Sequence, residues 1–561
     1  MSLVSLYDAA SLWMTPSGAE DGKLFSQLPT DGTGDFTFSR GSNLAATRVD
    51  VNGLIEKGRE NILLYSNDFS QSNWQKNSNA SIGTQTATDP FGVANNAWLA
   101  NFDGTTNGRV EQQITQTGVK AMSVWVRTQS GTQSIQVGFR GSSLSTYTAT
   151  TTWQRFEHYD DHSTALYPRL RCDSATTLEM FGFQVESGLV ATDYIETGAS
   201  TAQAGILEDM PRLDYSGGAS CPSLLLEPQR SNIETLSEYF EGWNAVSNVT
   251  RTTNYEGSPE GVDNATRLEF TGNGFLYNGA TPAQVNGSTY TMTCYAKRND
   301  SGTQNFGFFK NGSLVVNSVM ALTTEWKRFE YTFTATNTSR QGLAGVSGAD
   351  VSVYGFQIEK DASYPTSYIP TYGTSQTRSK DTGSLNLVGA GVNDGWTSGT
   401  ILIEFEKPYN NENADVIRIQ GDSVSGRAYI YNNGYGFASD WSYASIFTIG
   451  DNTKIIYRLN TLSTANLFKN GVKLTGAEGS GTAWSDIKYI YLNNQGGAKI
   501  NIKQIVVFPT ALTDSECVEL TINGLKEELI AAYKTRVTTL EEGASERLDT
   551  YLQSLEDFII I

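Results

Sequence analysis

Short runs of alternating or continuous apolar residues, separated by polar turns, recur along most of the chain. Residues 121–127 (AMSVWVR) and 291–297 (TMTCYAK) combine both patterns, and residues 153–159 and 326–333 alternate aromatic with polar side chains. Successive side chains of a strand point to opposite faces of a sheet, so these patterns predict strands that face a sandwich core. Turn residues interrupt the runs at short intervals, which indicates a mainly β protein.

An internal repeat organises much of the chain. The pattern L-[IL]-E-x-x-R-x-N-I occupies residues 54–62 and again residues 225–233. Two further pairs follow in the same order: WQRFE (153–157) with WKRFE (326–330), and FGFQVE (181–186) with YGFQIE (354–359). Matches in a fixed order predict a duplicated module. We therefore predict two tandem jelly-roll β-sandwiches at 54–203 and 225–380, joined by a connector at 204–224.

Residues 381–512 have the pattern of a third β domain. Strand-like apolar runs such as TILIEFE (400–406) alternate with tight turns. Between two of these runs, Asn470-Gly471 is a strong hairpin signal, because both turn residues must accept a positive φ. Residues 1–53 are predicted to be an N-terminal attachment or connector segment.

The last residues, 513–561, are predicted to form an amphipathic helix. Thr513 and Glu516 fit a capping box, and the apolar residues that follow are spaced alternately by three and four. Such a stripe needs a partner, so we expect the helix to lie on the chain's own β domains or to bundle with copies from other chains. The apolar end at 558–561 favours burial against another subunit, and hence a homo-oligomer.

Charge narrows the range of partners. The 561 residues include 40 Lys and Arg against 59 Asp and Glu, a net charge of −19. This balance argues against binding to nucleic acid and against an electrostatic hold on anionic membranes. The four cysteines lie far apart, and no apolar run is long enough to span a bilayer. The N-terminus lacks the basic and apolar regions of a signal peptide, so we expect a protein that is made in a cytoplasm and stays soluble there.

Five stretches carry a resemblance to known families. GRENILLYSNDFSQSNW (58–74), GFQVESGLVATDYIETG (182–198) and GFQIEKDASYPTSYIPTYGTSQTR (355–378) resemble tailed-bacteriophage virion proteins, whose jelly-roll modules are similar to carbohydrate-binding modules. ANLFKNGVKL (465–474) and FPTALTDSEC (508–517) resemble the concanavalin A-like, or laminin G-like, sandwich. The resemblance implies a non-enzymatic structural protein of the virion, assembled in the host cytoplasm. It would be a tail, fibre or capsid-surface component that contacts other virion proteins and host-surface glycans.

Few residues qualify for catalysis, which needs a poised acid, base or nucleophile. The two histidines, His158 and His162, are replaced by Tyr331 and Ala335 in the second copy, so the module does not require an imidazole. A Ser-His-Asp triad is therefore not favoured, and we expect both histidines at a solvated strand edge. No enzyme activity is predicted.

Acidic residues are interpreted as structural. Glutamates recur in matched strand contexts: Glu157 with Glu330, and Glu186 with Glu359. One glutamate per copy indicates a hydrogen-bonding role in the fold rather than the paired carboxylates of a glycosidase. No P-loop, zinc-protease or EF-hand motif is present, so no cofactor is predicted. The turn at Asp160-Asp161 is the candidate site for a structural Ca²⁺ ion, because oxygen-rich loops bind this cation.

Sugar recognition usually pairs aromatic faces with polar hydrogen-bonding groups. Aromatic residues crowd into YNNGYGFASDWSYAS (431–445), and the candidate glycan-contact residues are Tyr431, Tyr435, Trp441 and Tyr443. Packing between strands or against a neighbouring subunit is the alternative role for them. Two other functions stay open: a secreted or surface lectin-like bacterial adhesin, and a polysaccharide-degrading enzyme with accessory β modules. The missing secretion signal counts against the first, and the lack of room for a separate catalytic domain counts against the second.

Overall fold

The chain folds into two units, which are described from a computed structural model. Unit 1 comprises Met1–Glu56, Ile206–Arg230 and Arg378–Ile561, and unit 2 comprises Lys57–Gly205 and Ser231–Thr377. The structure describes residues 6–523 except 7–8, 42–43, 217–221, 301–304, 311–312, 407–408, 410–414, 423–426, 432–433, 438–439, 443–451, 462–463, 475–478, 481–486, 496 and 498. The fold is mainly β, as the sequence predicts.

The first module is a sandwich of two five-stranded sheets in unit 2. Short strands precede it: β1 (Leu12–Met14), β2 (Ala19–Glu20), β3 (Lys23–Leu24), β4 (Phe36–Ser39), β5 (Thr47–Val49) and β6 (Ile55–Lys57). The module's strands are β7 (Arg59–Asn61), β8 (Gln75–Lys76), β9 (Ala80–Ala87), β10 (Ala97–Asp103), β11 (Gly108–Glu111), β12 (Gly118–Thr128), β13 (Gln133–Arg140), β14 (Leu144–Ala149), β15 (Gln154–His162), β16 (Tyr167–Cys172), β17 (Ala175–Ser187) and β18 (Ala202–Ala204). The sheets have the orders β15-β12-β17-β10-β9 and β14-β13-β16-β11-β8. Apolar side chains of both sheets, such as Val124 and Val137, share one core.

The second module also lies in unit 2. The connector before it contains β19 (Arg212–Asp214) and β20 (Ser223–Leu226). The module contains β21 (Arg230–Asn232), a 3₁₀ helix (Phe240–Gly242), β22 (Ala245–Glu256), β23 (Ala265–Tyr277), β24 (Thr289–Arg298), β25 (Phe306–Lys310), β26 (Ser313–Val319), β27 (Lys327–Thr334), β28 (Gln341–Gly345), β29 (Asp350–Lys360) and β30 (Gln376–Arg378). The long strand β23 crosses from one layer to the other, because its first half pairs with β29 and its second half with β28.

The strand orders of the two modules are the same. The second module runs β27-β24-β29-β23-β22 in one layer and β26-β25-β28-β23-β22 in the other. The single strand β23 of the second module corresponds to two strands of the first module, β10 and β11. In the same way, β22 corresponds to β9 in one layer and to β8 in the other. Two tandem jelly-roll sandwiches are therefore confirmed, with continuous strands in the second copy where the first has breaks.

The repeated asparagines make equivalent bonds in both copies. Asn61 Nδ2 donates to Ile195 O at 2.8 Å, and Asn232 Nδ2 donates to Ile369 O at 2.9 Å. Each Oδ1 accepts a backbone N–H from the long strand that carries the GFQ motif. These bonds tie the start of each module to its last long strand, which explains why the motif is present twice.

The repeated glutamates at the end of that strand fix a loop. Glu186 accepts bonds from the backbone N–H and the hydroxyl of Thr192, both at 2.7 Å. Glu359 does the same with Thr366, at 3.0 and 2.5 Å. Both carboxylates are buried, so this pair of bonds satisfies groups that would otherwise be costly to bury.

Unit 1 contains the third sandwich. Its remaining elements are β31 (Thr382–Asn386), β32 (Gly399–Glu406), β33 (Asp415–Gln420), β34 (Arg427–Tyr431), β35 (Gly434–Phe437), β36 (Asp440–Ser442), β37 (Asn452–Thr461), β38 (Thr464–Lys469), β39 (Val472–Lys473), β40 (Gly479–Ser480), β41 (Tyr489–Gln495), β42 (Ile500–Phe508) and α1 (Asp514–Asn523). Sheet A has the order β19-β20-β42-β32-β37-β38-β39, with β1 on β42 and β40 on β38. Sheet B has the order β2-β3-β4-β31-β41-β33-β34-β35-β36.

The third sandwich draws on three separate parts of the chain. The sequence assigned residues 1–53 and 204–224 to connectors and placed the domain at 381–512. In the structure, β1 and β20 pair with β42, and β4 pairs with β31. Apolar residues of all three parts join one core, such as Met14, Leu224 and Ile403.

The helix α1 covers the outer face of sheet A. Ile401 and Ile403 of β32 face the sandwich core, whereas Leu402 between them packs in a second cluster with Cys517 and Leu520 of α1. A strand that is buried on both faces has a continuous run of apolar residues in its sequence. This explains the apolar run TILIEFE at residues 400–406.

The capping box at the start of α1 forms as predicted. Glu516 N donates to Thr513 Oγ1 at 3.3 Å, and Thr513 N donates to Glu516 Oε2 at 2.9 Å. The rest of the predicted helix, 524–561, lies outside the described residues, so its stripe and the expected homo-oligomer stay predictions. Within the described part of the chain, no helix has both the length and the apolar character to cross a bilayer.

Candidate functional site

A cavity of about 570 Å³ lies beside strand β15 in unit 2. The first module lines it with residues of β12, β14 and β15 and with the loop 189–191, and the second module adds Tyr239, Glu241 and Asn254. Pockets that hold small ligands begin at about 300 Å³, so the cavity is large enough for a small molecule.

The position of β15 explains how its residues come to line the cavity. This strand is the edge of its sheet, so side chains of both its faces reach the margin of the sandwich. His158 lies on the core-facing side, with its ring 5.9 Å from that of Phe139. Glu157 and Tyr159, its neighbours, point to the opposite face because side chains of a strand alternate.

A chain of hydrogen bonds runs through His158. Its Nδ1 lies 3.0 Å from Ser145 Oγ, its Nε2 lies 3.1 Å from Ser143 Oγ, and Ser143 Oγ lies 3.1 Å from Asp160 Oδ2. A carboxylate only accepts, so the Ser143 hydroxyl donates to Asp160 and accepts from Nε2–H. The Nδ1 atom then accepts from the Ser145 hydroxyl. Burial lowers the pKa of His158 and outweighs the opposing effect of Asp160, which favours this neutral imidazole.

The charged groups of the cavity are acidic. Glu157, Asp160 and Glu241 line it, and the lining residues that the structure describes include no Lys or Arg. Burial raises the pKa of Glu157, although its Oε2 accepts a bond from Ala191 N at 3.2 Å. Glu241 Oε2 accepts a bond from the Thr253 hydroxyl at 2.9 Å. The cavity therefore offers several carboxylate acceptors and a negative potential.

The second module supplies an aromatic wall and an unpaired acceptor. The Tyr239 ring meets the Tyr159 ring edge to face, with centroids 6.2 Å apart. Burial raises the pKa of Tyr239 to about 12, so its hydroxyl stays protonated at neutral pH. Asn254 donates from Nδ2 to Leu189 O at 3.1 Å, while its Oδ1 is buried with no hydrogen-bond partner. Leaving a buried acceptor without a partner costs free energy.

The geometry differs from that of a Ser-His-Asp triad. In a triad the carboxylate holds the imidazole and the imidazole faces the serine as a base. Here Asp160 bonds to Ser143, and the Nε2 atom that faces Ser143 carries the proton. The Nδ1 atom faces Ser145 as an acceptor, but the other ring nitrogen bonds to the Ser143 hydroxyl and not directly to a carboxylate. The absence of enzyme activity stays a prediction.

The candidate glycan-contact residues belong to unit 1, whereas the cavity belongs to unit 2. The backbone of Tyr431, Tyr435 and Trp441 belongs to β34, β35 and β36, which are paired neighbours at one edge of sheet B. Tyr443 lies outside the described residues. Their contact with glycans stays a prediction.

The calcium site suggested for Asp160 and Asp161 stays a prediction. Asp160 Oδ2 accepts a bond from the Ser143 hydroxyl. Among the residues that the structure describes, no group of three or more His, Cys, Asp and Glu side chains could hold a metal ion.

Sequence reasoning missed the cavity because its residues are distant along the chain. It also expected His158 and His162 at a solvated edge, whereas His158 is half-buried and His162 is 8% exposed. A usable signal was present in the repeat: the second copy has Tyr331 and Ala335 at these positions. Residues that differ between copies are free of the shared packing requirement and are therefore the better candidates for binding.

Comparison with solved structures gives distant likenesses. The chain is similar to the N-terminal CBM22-1-CBM22-2 tandem domain of Paenibacillus barcinonensis Xyn10C, at 8% identity and a TM-score of 0.23, over 57% of this chain and 99% of that one. It is similar to the CBM40 of Ruminococcus gnavus IT-sialidase bound to alpha2,3 sialyllactose, at 17% identity and a TM-score of 0.20, over 24% and 87%. It is also similar to Trypanosoma rangeli sialidase in complex with the inhibitor DANA, at 8% identity and a TM-score of 0.20, over 88% and 99%.

No protein-family model matches the chain, and no curated protein matches it. At these identities and TM-scores the structural likenesses carry no argument about what this chain binds or whether it is an enzyme. The case for a function therefore depends on the cavity itself.

Proposed function

We propose that the protein is a saccharide-binding protein and that the cavity beside β15 is a binding site. The observation that carries the proposal is the ordered chain from Ser145 through His158 and Ser143 to Asp160, which ends in the cavity. A saccharide hydroxyl both donates and accepts, so it matches hydroxyl, imidazole and carboxylate groups held in fixed orientations. The Tyr159 and Tyr239 rings add apolar surface for the C–H groups of a sugar ring.

The charge of the cavity selects among saccharides. Three carboxylates with no cation in the lining disfavour a ligand that carries its own carboxylate, because like charges repel strongly at short range. A neutral saccharide has no such penalty and can donate its hydroxyls to Glu157 and Glu241. We therefore propose neutral saccharides as the ligands of this site.

Binding of purified full-length protein to an array of neutral and acidic glycans tests the proposal. A Glu157→Gln variant is expected to bind neutral glycans at least tenfold more weakly, because a charge-assisted bond contributes about 1.5–3 kcal/mol. The matched control is Glu330→Gln, at the exposed equivalent position of the second module, which should bind as the unchanged protein does. Absence of binding to every glycan on the array would refute the proposed function.

The biological setting is proposed from the sequence resemblance alone. It is that of a virion structural protein, a tail, fibre or capsid-surface component, whose saccharide binding would serve adsorption to a host surface. Mass spectrometry of purified phage particles tests this setting. Finding the chain in particles at structural stoichiometry would support it, and its absence from them would refute it.

A further inference from the structure

Three aromatic rings stack in a strip on the second module. Phe275 and Tyr277 lie on β23 and Phe309 lies on β25. The ring centroids of Phe275 and Phe309 are 4.8 Å apart, those of Tyr277 and Phe309 are 5.8 Å apart, and the planes agree within 10–19°. Phe275 and Tyr277 are half-buried, and Phe309 is buried.

The strip lies on the outer face of its sheet, above strand β28. The outward positions of that strand carry only very small residues. Leu276, between Phe275 and Tyr277, points into the module core, so its neighbours point outward. On β28, which runs between β23 and β25, the outward positions are Gly342 and Ala344. A Cβ atom at Gly342 would lie 2.2 Å from Leu276 O and 2.7 Å from Tyr277 Cβ, so glycine is required there for the close approach of β28 to β23.

The first module shows whether the fold needs these rings. Strand register identifies the equivalent positions in the two modules. In the first module Val110 of β11 pairs with Leu170 of β16, and in the second module Leu276 of β23 pairs with Leu343 of β28. All four of these side chains are buried in their module cores. The residues that flank them on the outer faces can therefore be compared directly.

The equivalent face of the first module is charged. Arg109 and Glu111 stand where the second module has Phe275 and Tyr277. Glu111 accepts bonds from Arg109 Nε at 3.0 Å and from Arg140 Nη2 at 3.1 Å. The same sandwich is therefore complete without aromatic residues at these two positions, although Tyr167 of the same face packs under Arg140, so the fold does not require Phe275 and Tyr277.

We propose that the strip is a second saccharide-binding surface, on which a neutral sugar ring stacks its C–H face against Phe275 and Tyr277. This inference depends on the saccharide recognition proposed above but uses a different surface from the cavity. An uncharged ligand is expected because the outward residues of the strip carry no charge. Stacking on an aromatic face uses the apolar side of a sugar, and offset stacked contacts are favourable.

The size of the strip favours a small ligand over a second protein. One aromatic side chain contributes about 150–250 Å² when fully buried, and these three rings are already half-covered or buried. A stable protein interface needs about 800 Å² from each partner. The strip falls well short of that area, but it suits one or two sugar rings.

The test replaces the rings by the residues that the first module carries at the same positions. The full chain with Phe275→Arg and Tyr277→Glu is compared with the unchanged protein by affinity electrophoresis in gels that contain neutral or acidic polysaccharides. Calorimetry with neutral oligosaccharides gives the affinities. We expect at least a tenfold loss for one or more neutral saccharides and no change in the midpoint of thermal unfolding beyond a few degrees.

Two further variants make the result decisive. Phe275→Leu with Tyr277→Leu keeps an apolar surface without rings, so stacking predicts the same loss, and retained affinity would overturn the inference. The Glu157→Gln variant reports on binding at the cavity. If this variant binds more weakly while both strip variants bind as the unchanged protein does, saccharide binding by the strip is refuted and the proposed function stands. If the unchanged protein binds no saccharide, both fail.

Discussion

Phe91 of the first module and Glu260 of the second stand at the same position of the same turn. Both turns close with equivalent backbone bonds, yet Phe91 is 65% exposed and Glu260 is 8% exposed. Phe91 lies against an aromatic cluster of its own module, whereas Glu260 forms an ion pair with Lys57 at 2.6 Å. The duplication has thus kept the backbone and changed the side chains that project from it.

Lys57 is the centre of a buried polar network, so its loss should destabilise unit 2. Its ammonium group lies 2.9 Å from Glu238 and 2.9 Å from the Tyr372 hydroxyl, besides Glu260. A Lys57→Met variant removes the cation paired with the buried Glu238 carboxylate, although Glu260 keeps its ion pair with Arg59. We therefore expect the free energy of unfolding to fall by about 3–5 kcal/mol. Urea denaturation followed by tryptophan fluorescence measures it.

A partly exposed ion pair in the same unit provides the control. Lys297 pairs with Glu256 at 2.6 Å, and both side chains retain contact with solvent. Lys297→Met should cost less than about 1 kcal/mol, because water screens such pairs. Equal losses in the two variants would show that the burial of Lys57 has no special effect.

The histidines should make stability depend on pH. Burial lowers the pKa of His158 and of His162 below the usual value of 6.5. The unfolded chain therefore binds protons more readily than the folded chain does. The stabilising contribution of the two neutral histidines is present above pH 6.5 and is lost as the pH falls through their folded-state pKa values. Replacing both histidines by Gln should make the free energy of unfolding depend less on pH between pH 7 and the acid range. Urea titrations at several pH values measure the difference between the two proteins, and an identical pH dependence would contradict the expectation.

A buried ion cluster joins the three parts of unit 1. The Arg212 guanidinium donates to Glu227 at 2.9 Å and pairs with Asp381, and Arg378 pairs with Glu227 at 3.0 Å. All four side chains are fully buried. Arg212→Met should lower the free energy of unfolding of unit 1 by about 3–5 kcal/mol, because two carboxylates lose a partner.

Scanning calorimetry can measure this effect. A substitution at a half-exposed pair of unit 1, Arg48→Met beside Glu56, should change the transition little and serves as the control. An Arg212→Met variant that melts at the original temperature would refute the role assigned to the cluster.

The N-terminal strands should be essential for unit 1. Removing residues 1–40 deletes β1 and β4, which pair with β42 and β31, and takes Met14 and Phe36 out of the core. We expect the truncated chain to lose the protease resistance of residues 381–508. Val51→Ser, at a residue 68% exposed, is a control in the same segment and should leave the digestion pattern unchanged. Full resistance after truncation would mean that the third sandwich is independent of these strands.

The repeat and the strands could be predicted because they depend on local order in the sequence. Alternation along β12 and β24 reports which side chains enter a core, and Asn61 and Asn232 recur because each module needs the same tie. The cavity could not be found in this way, since Ser145, His158 and Asn254 meet only when two modules pack together. The aromatic strip was missed for a related reason: Phe275 and Phe309 are neighbours across strands.

The sequence by itself determined that the protein is mainly β, that one sandwich is present twice and that a capped helix follows the third β domain. The fold was needed to show that the third sandwich includes strands from the N-terminus and the connector, and that distant polar and aromatic residues come together in the cavity and the strip. The physical reason is that periodicity along a strand records which face is buried. Pairing between distant strands is set by the whole core, which no local stretch of sequence specifies.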